Sequence, residues 1–265
     1  MSGTLPSVPM SEEPLPGGNV SAGVVRVGDT VRRPIGAHTP AVHALLRHLH
    51  EVGFSGVPRP LGIDDQGREV LTFIPGVVVH PDHRHLLDSV ETLGDLGQLI
   101  RDLHDAAAEF VPSPDAQWQV VIQDVGAELI VHHDLAAWNL IAGTSGGWSV
   151  IDWDTAAPGT RLWDLAYTAH SLVPLTADAS EAATDPGSRL RALVDGYGLD
   201  EQQRHQLVEL LPRRTAAMRD LLARGADSGT EPWASLSADG HGDTWSRNTD
   251  YIAARSAHWL AALID

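Results

Sequence analysis

The chain has 265 residues, 43% of them hydrophobic, with eight Trp, no Cys and a formal net charge of −17. That is enough chain for one large domain or two lobes. The lack of Cys excludes disulfides, a thiol nucleophile and thiolate-held zinc, and the negative charge speaks against tracking nucleic-acid phosphates. All 18 basic residues are Arg, so any task usual for Lys must fall to an Arg or stay unfilled.

Residues 1–14 carry Pro, Ser and Gly, with neither a basic start nor an apolar segment. They read as a flexible arm and not as a secretory leader. No apolar run approaches the ~20 residues of a membrane span, so no membrane partner and a cytosolic location are expected. A turn at Gly17-Gly18-Asn19 precedes a hairpin of Gly23–Val27 and Thr30–Arg33, split by Gly28-Asp29. Thr39, as N-cap before Pro40, opens a helix with an apolar face of Ala41, Leu45, Leu46, Leu49 and Val52. Glu69–Ile74 is a strand closed by Pro75-Gly76, and that pair divides the chain into lobes at 15–76 and 77–265.

Residues 86–110 have helical periodicity. Short strands follow at "ELIV", "NLIA" and "WSVIDW", the last two separated by a Gly-Ser turn. Helices are predicted over 162–172, 187–197, 201–224 and 244–263, with a Gly/Asp-rich loop at 237–247. The fold class is α+β, with a small antiparallel β lobe plus helix first and a larger, mainly helical lobe after it. His80, His83 and His85 have metal-like spacing, but no carboxylate pattern completes a site, and a solvated loop explains them.

The chemistry gathers in "VHHDLAAWNLIAGTSGGWSVIDWD", Val131 to Asp154. A hairpin of "NLIA" and "WSVID" places Asn139 beside Asp152, two oxygen donors suited to a hard cation such as Mg²⁺. Asp134 lies just outside that pair, where it could orient or deprotonate a hydroxyl. Phosphoryl transfer needs these parts: a cation to neutralise phosphate oxygens and a carboxylate for the attacking alcohol.

These residues resemble the His-x-Asp-(x)4-Asn and Ile-Asp-Trp pair of the aminoglycoside phosphotransferase (APH) family, which is similar to choline kinases and protein kinases. "APGTRLWDLAY" and "TFIPG" also look like the family, and the resemblance spans roughly residues 15–197. It implies a two-lobed protein-kinase-like fold that binds ATP or GTP with Mg²⁺ in the cleft and phosphorylates a small-molecule hydroxyl acceptor. By position, Asp134 is the implied catalytic residue, Asn139 and Asp152 the metal ligands, and His132 and Asp164 supporting residues. The implied nucleotide contacts are Gly17, Gly18, Asn19 and Ser21 over the phosphates, Thr72, Phe73 and Ile74 at the hinge, and Arg32 or Arg33 on the strand that usually carries Lys. Strand alternation lets only one of the two Arg face the cleft; Arg32 is taken first. Asp239, His241, Asp243 and Trp245 are candidates for the acceptor pocket.

Two departures stand out. The strand carries no Lys, and the next helix lacks its usual Glu, with Val42 or His43 in that place. Either another acid positions the Arg, or the ion pair is absent. The alternative reading is a kinase-like regulatory protein that binds nucleotide or ligand and does little chemistry.

Overall fold

The computed structural model describes residues 11–15, 23–124, 126–176 and 185–265. Its first layer is a five-stranded antiparallel sheet in the order β1-β2-β3-β5-β4. The strands are β1 (Glu13–Pro14), β2 (Val25–Val27), β3 (Thr30–Pro34), β4 (Pro60–Ile63) and β5 (Arg68–Thr72). Gly28 turns the β2–β3 hairpin at φ 59°, a conformation that suits a residue without Cβ. Helix α1 (Thr39–Glu51) packs on this sheet through Ala41, Val42, Leu45, Leu46 and Leu49, all buried.

Two details of α1 differ from expectation. His38, not Thr39, is the N-cap, because the Thr39 hydroxyl accepts from the Gly36 amide and closes the preceding turn. Val52 is exposed, since the helix has already ended.

After Pro75 the chain leaves the first sheet. Strand β6 (Gly76–Val78) pairs with β8 (Leu140–Gly143), which pairs with β9 (Trp148–Val150). A Cβ on Gly76 would overlap Ile141 and the Ala142 carbonyl, so Gly is needed where the chain crosses over. A 3-10 turn at Pro81–Leu87 then precedes α2 (Val90–Ala108). This helix starts later than the sequence suggests because Ser89 caps it, accepting from the Thr92 amide. Strand β7 (Leu129–Val131) pairs with β10 (Ala157–Gly159), a strand too short for the sequence to announce.

Helices α3 (Arg161–Leu172), α4 (Pro186–Tyr197) and α5 (Glu201–Ser228) match the predicted pattern closely. The expected last helix, 244–263, is two, α7 (His241–Ala254) and α8 (Ser256–Ile264), and a short α6 (Trp233–Ala238) precedes them. The expected loop at 237–247 is mostly helix. Its Gly240, at φ 87°, turns between α6 and α7, so neither Asp243 nor Thr244 serves as a cap.

Helices α2 and α4 cross closely, since a Cβ on Gly196 would meet the Gly94 carbonyl. One contiguous core joins Leu45 and Leu49 of α1 to Leu96, Ile100, Leu135, Leu140, Leu165, Leu193 and Leu211. That core holds the sheet layer against the helical layer and fixes the loops between them.

Candidate active site

The loop after β7 begins with His132. Its Nε2 meets the Ile151 carbonyl at 3.0 Å and its Nδ1 accepts from the Asp134 amide at 3.3 Å. The ring packs edge-on to Trp153, so His132 ties the loop to the segment that follows β9. His133 is next, at φ 64°, strained for a residue with a Cβ. Its amide donates to Asp164 Oδ1 at 2.7 Å. Asp164 is fully buried at the start of α3 and also takes His104 Nε2 at 3.2 Å. Burial pushes the Asp164 carboxyl up, but the hydrogen bond and charge of His104, with His133 and His132, outweigh it and hold it at about 2.

Asp134 is fixed from two sides. Tyr167 of α3 donates its hydroxyl to Oδ1 at 2.8 Å, and Asn139 Nδ2 donates to Oδ2 at 3.0 Å. Burial raises the Asp134 pKa above the usual carboxylate value, with the Tyr167 hydrogen bond opposing. Asn139 Nδ2 also donates to the Asp134 carbonyl at 2.8 Å. These two acceptors settle which way the amide points and leave its Oδ1 as the atom offered to a ligand.

Asp152 lies across the hairpin from Asn139, where the Ile151 amide reaches the Asn139 carbonyl at 2.9 Å. It too is held at positive φ, 63°. An amide oxygen and a carboxylate side by side fit Mg²⁺, which takes few protein ligands and fills its shell with water and phosphate oxygens. Among the described residues no three His, Cys, Asp or Glu gather into a metal cage; His80, His83 and His85 form none.

Arg33, not Arg32, faces this site. Arg32 turns to the other face of β3, with Thr30 at 2.6 Å and Asp64 at 3.4 Å. Arg33 is buried and meets Glu69 at 2.7 Å, Asp152 at 3.1 Å and Asp154. Burial lowers its pKa, but the charges of Asp154, Asp152 and Glu69 raise it further, so it stays a cation.

The Glu that α1 lacks is supplied by β5, where Glu69 is the direct cross-strand partner of Arg33. His43 of α1 then bonds the other Glu69 oxygen at 2.7 Å. The helix therefore still reaches the Arg, through a His–Glu–Arg relay. Asp154 is steadied from the sheet side by His38 Nε2 at 3.3 Å.

Gly17, Gly18, Asn19 and Ser21 lie outside the described residues. At the hinge, the Thr72 amide donates to the Arg59 carbonyl and the Phe73 amide to the Asp29 carbonyl, each at 2.9 Å. Neither amide is thus open to a base, and Ile74 is the residue of the three left to offer one.

On the far side of Asp134, Trp245 of α7 stacks on His170 at 4.5 Å between centroids and on Tyr167 at 6.3 Å. Asn248 Nδ2 meets His170 Nε2 at 3.2 Å and its Oδ1 takes the Thr176 hydroxyl at 2.7 Å. Burial, then the charges of Arg214 and Arg84, bring the His170 pKa down to about 4, so the ring is neutral. Trp245 is the one acceptor candidate brought next to the Asp134 cluster. Asp239, His241 and Asp243 are exposed around the α6–α7 corner, and no hydrogen bond or ion pair links them to it among the described residues. The sequence reading passed over Tyr167, His170, Glu69 and Arg214. Tyr167 and His170 were within reach, being one and two helical turns after Asp164 on a helix already predicted.

The family model described as the phosphotransferase enzyme family, APH, matches residues 13–120 and 114–207. The trifolitoxin immunity protein of Rhizobium leguminosarum bv. trifolii is 31% identical over 248 residues, covering 89% of this chain and 90% of that protein. Among solved structures, a choline/ethanolamine kinase family protein from Mesorhizobium loti superposes with TM-score 0.62 at 16% identity, over 97% of this chain and 92% of that one. The GDP complex of aminoglycoside 2'-phosphotransferase-IIIa gives 0.62 at 13%, over 95% and 94%. Amicoumacin kinase hAmiN with AMP-PNP, Ca²⁺ and Ami gives 0.59 at 15%, over 88% and 86%. The fold is thus that of the protein-kinase-like phosphotransferases, and the chain belongs to the phosphotransferase enzyme family, APH.

Proposed function

We propose that this phosphotransferase moves the γ-phosphoryl group of ATP or GTP, bound with Mg²⁺, to the hydroxyl of a small-molecule acceptor. The observation that carries the reading is the Asp134 carboxylate. It is partly buried and fixed at both oxygens by Tyr167 and Asn139, and Asn139 in turn lies across the hairpin from Asp152. A carboxylate with a raised pKa suits the removal of a proton from an alcohol as the new P–O bond forms. Asn139 and Asp152 would hold the cation, which when bound neutralises phosphate oxygens. Arg33 would give two parallel N–H donors to a phosphate, once released from Asp152 and steadied by Glu69 and His43. No described helix is long and apolar enough to cross a membrane, and a cytosolic site of action gives access to nucleotide.

The acceptor classes in view are aminoglycoside-like compounds, sugars and amino alcohols. The acceptor wall of Tyr167, His170 and Trp245 is aromatic, and the charges acting on its His170 are Arg84 and Arg214. An acceptor with a flat, uncharged part fits such a wall better than a polycation does. The likeness to a trifolitoxin immunity protein and to an amicoumacin kinase supports a role in disarming a hydroxyl-bearing toxin or antibiotic.

The test is acceptor-dependent ADP or GDP release by the purified protein with Mg²⁺, with Asp134→Asn as control. Turnover that disappears in the variant supports the reading. Nucleotide binding without turnover on any acceptor supports the regulatory alternative, and absence of nucleotide binding sinks the phosphotransferase reading.

A further inference from the structure

Arg214 of α5 poses a question that the metal and nucleotide residues do not answer. It is 2% exposed, and its Nε and Nη1 find no acceptor among the described residues. A guanidinium buried with so few partners is costly to keep, and burial pulls its pKa below the usual arginine value. Its Nη2 makes one hydrogen bond, to the carbonyl of His133 at 2.9 Å. His133 is the residue at positive φ whose peptide leads directly into Asp134. With Asp164 on its amide at 2.7 Å, the strained residue is gripped at both ends, by an anion on the N–H and a cation on the C=O.

The same guanidinium also lies over the Tyr167 ring, 4.3 Å from its centroid, and 5.3 Å from that of Trp163. Tyr167 in turn donates to Asp134 Oδ1 at 2.8 Å. Arg214 thus reaches the carboxylate by two routes. One runs along the chain through the His133 peptide, the other across space through the Tyr167 ring. A cation against the ring face holds the phenol by the ring quadrupole without needing a hydrogen bond. The carboxylate torsion of an Asp is broad and soft. With Asn139 on Oδ2 and Tyr167 on Oδ1, the Asp134 group has one orientation.

We propose that Tyr167 and Arg214 are a positioning pair that sets the plane of the Asp134 carboxylate, with the phenol holding Oδ1 and the guanidinium holding both the phenol and the His133 peptide. The proposal rests on Asp134 being the residue that takes the acceptor hydroxyl. Neither positioning residue touches a reacting atom. Tyr167→Phe keeps the ring of the acceptor wall and Arg214 is buried, so losing the hydroxyl or the guanidinium acts on turnover, with binding left as it is.

The experiment combines steady-state kinetics, nucleotide titration, thermal melts and crystal structures of wild type, Tyr167→Phe, Arg214→Met and Arg214→Lys. Tyr167→Phe is expected to lower kcat about ten-fold or more, the effect of losing a hydrogen bond to a charged group. Acceptor KM and nucleotide affinity should stay within about two-fold. Arg214→Met should lower kcat to a similar extent while the protein stays folded, because an apolar side chain of like volume often replaces a buried ion without loss of stability. Arg214→Lys keeps a donor for His133 and should recover part of the loss. The Tyr167→Phe/Arg214→Met pair should fall short of the product of the single effects, as expected for residues acting as one unit.

In the Tyr167→Phe crystal structure the Asp134 carboxylate should rotate off its wild-type plane. An unchanged kcat in folded Tyr167→Phe, or an unchanged Asp134 orientation in both single variants, overturns the proposal. The orientation is read without any acceptor. Wild-type protein that turns over none therefore refutes the kinase reading separately from the positioning pair.

Discussion

The two sides of Asp134 are built from different materials. Toward the sheet layer, Arg33 is enclosed by Glu69, Asp152 and Asp154, with His43 on the other Glu69 oxygen and His38 sharing Asp154 Oδ1. Toward the C-terminal helices, the neighbours are the rings of Tyr167, His170 and Trp245 over a single buried cation, Arg214. Charge organises the first side and ring stacking the second. A nucleotide triphosphate presents the same charge whatever the acceptor, so on the proposed reading a side built from charged groups, completed by a cation, would suit it. On the proposed reading the acceptor side would discriminate by shape, since rings give contact area with few soft torsions.

The sharpest way to break this division is at its boundary. Asp134→Asn should lower turnover by about 10³-fold, within the range for losing a general base, and leave nucleotide affinity unchanged by calorimetric titration. Next comes the charged side. Arg33→Met leaves several partly buried carboxylates without their cation, and should cost about 3 kcal/mol of stability and weaken nucleotide binding while sparing acceptor KM. A melt and paired KM measurements check both. On the ring side, Trp245→Ala should raise acceptor KM about five- to ten-fold, the scale of one aromatic contact, without moving nucleotide KM.

A fourth effect separates the sides by pH. His170 has a folded value of about 4 against an ordinary 6.5. The unfolded chain therefore binds the extra proton between those values. The stability from neutral His170 is whole above about pH 6.5 and lost as pH falls through about 4. Asp164, at about 2 against 3.8, loses its contribution only below that window. Melts from pH 7 to 4 should fall less steeply in His170→Gln than in wild type. An unchanged slope would mean that His170 is not held neutral.

How much of this could be read from the sequence depended on how local each feature was. Asp134, Asn139 and Asp152 were readable because one hairpin brings them together, and the turn residues announce that hairpin. The choice between Arg32 and Arg33 was not. Alternation says that one of them faces inward, but which one depends on the register that sets Glu69 opposite Arg33. The missing helix Glu is resolved by that same long-range pairing. Arg214 was half visible: it continues the buried stripe of Leu207 and Leu211, and a charge on such a stripe signals a buried partner. The helices flanking Gly240 were hidden because α6 is only six residues long and α7 opens on Gly242 and Asp243, with no apolar stripe to announce it.

The enclosure around Arg33 has a consequence for the order of events. Three carboxylates face one guanidinium there, and the flanking imidazoles carry no charge when neutral. The resting cleft is therefore electronegative where phosphates must settle. A bare polyphosphate meets repulsion at the door, whereas one already carrying a dication brings the missing positive charge with it. On the proposed reading, binding would be an exchange of counter-ions, in which Asp152 would give up the guanidinium for the dication and Arg33 would be freed for a phosphate oxygen.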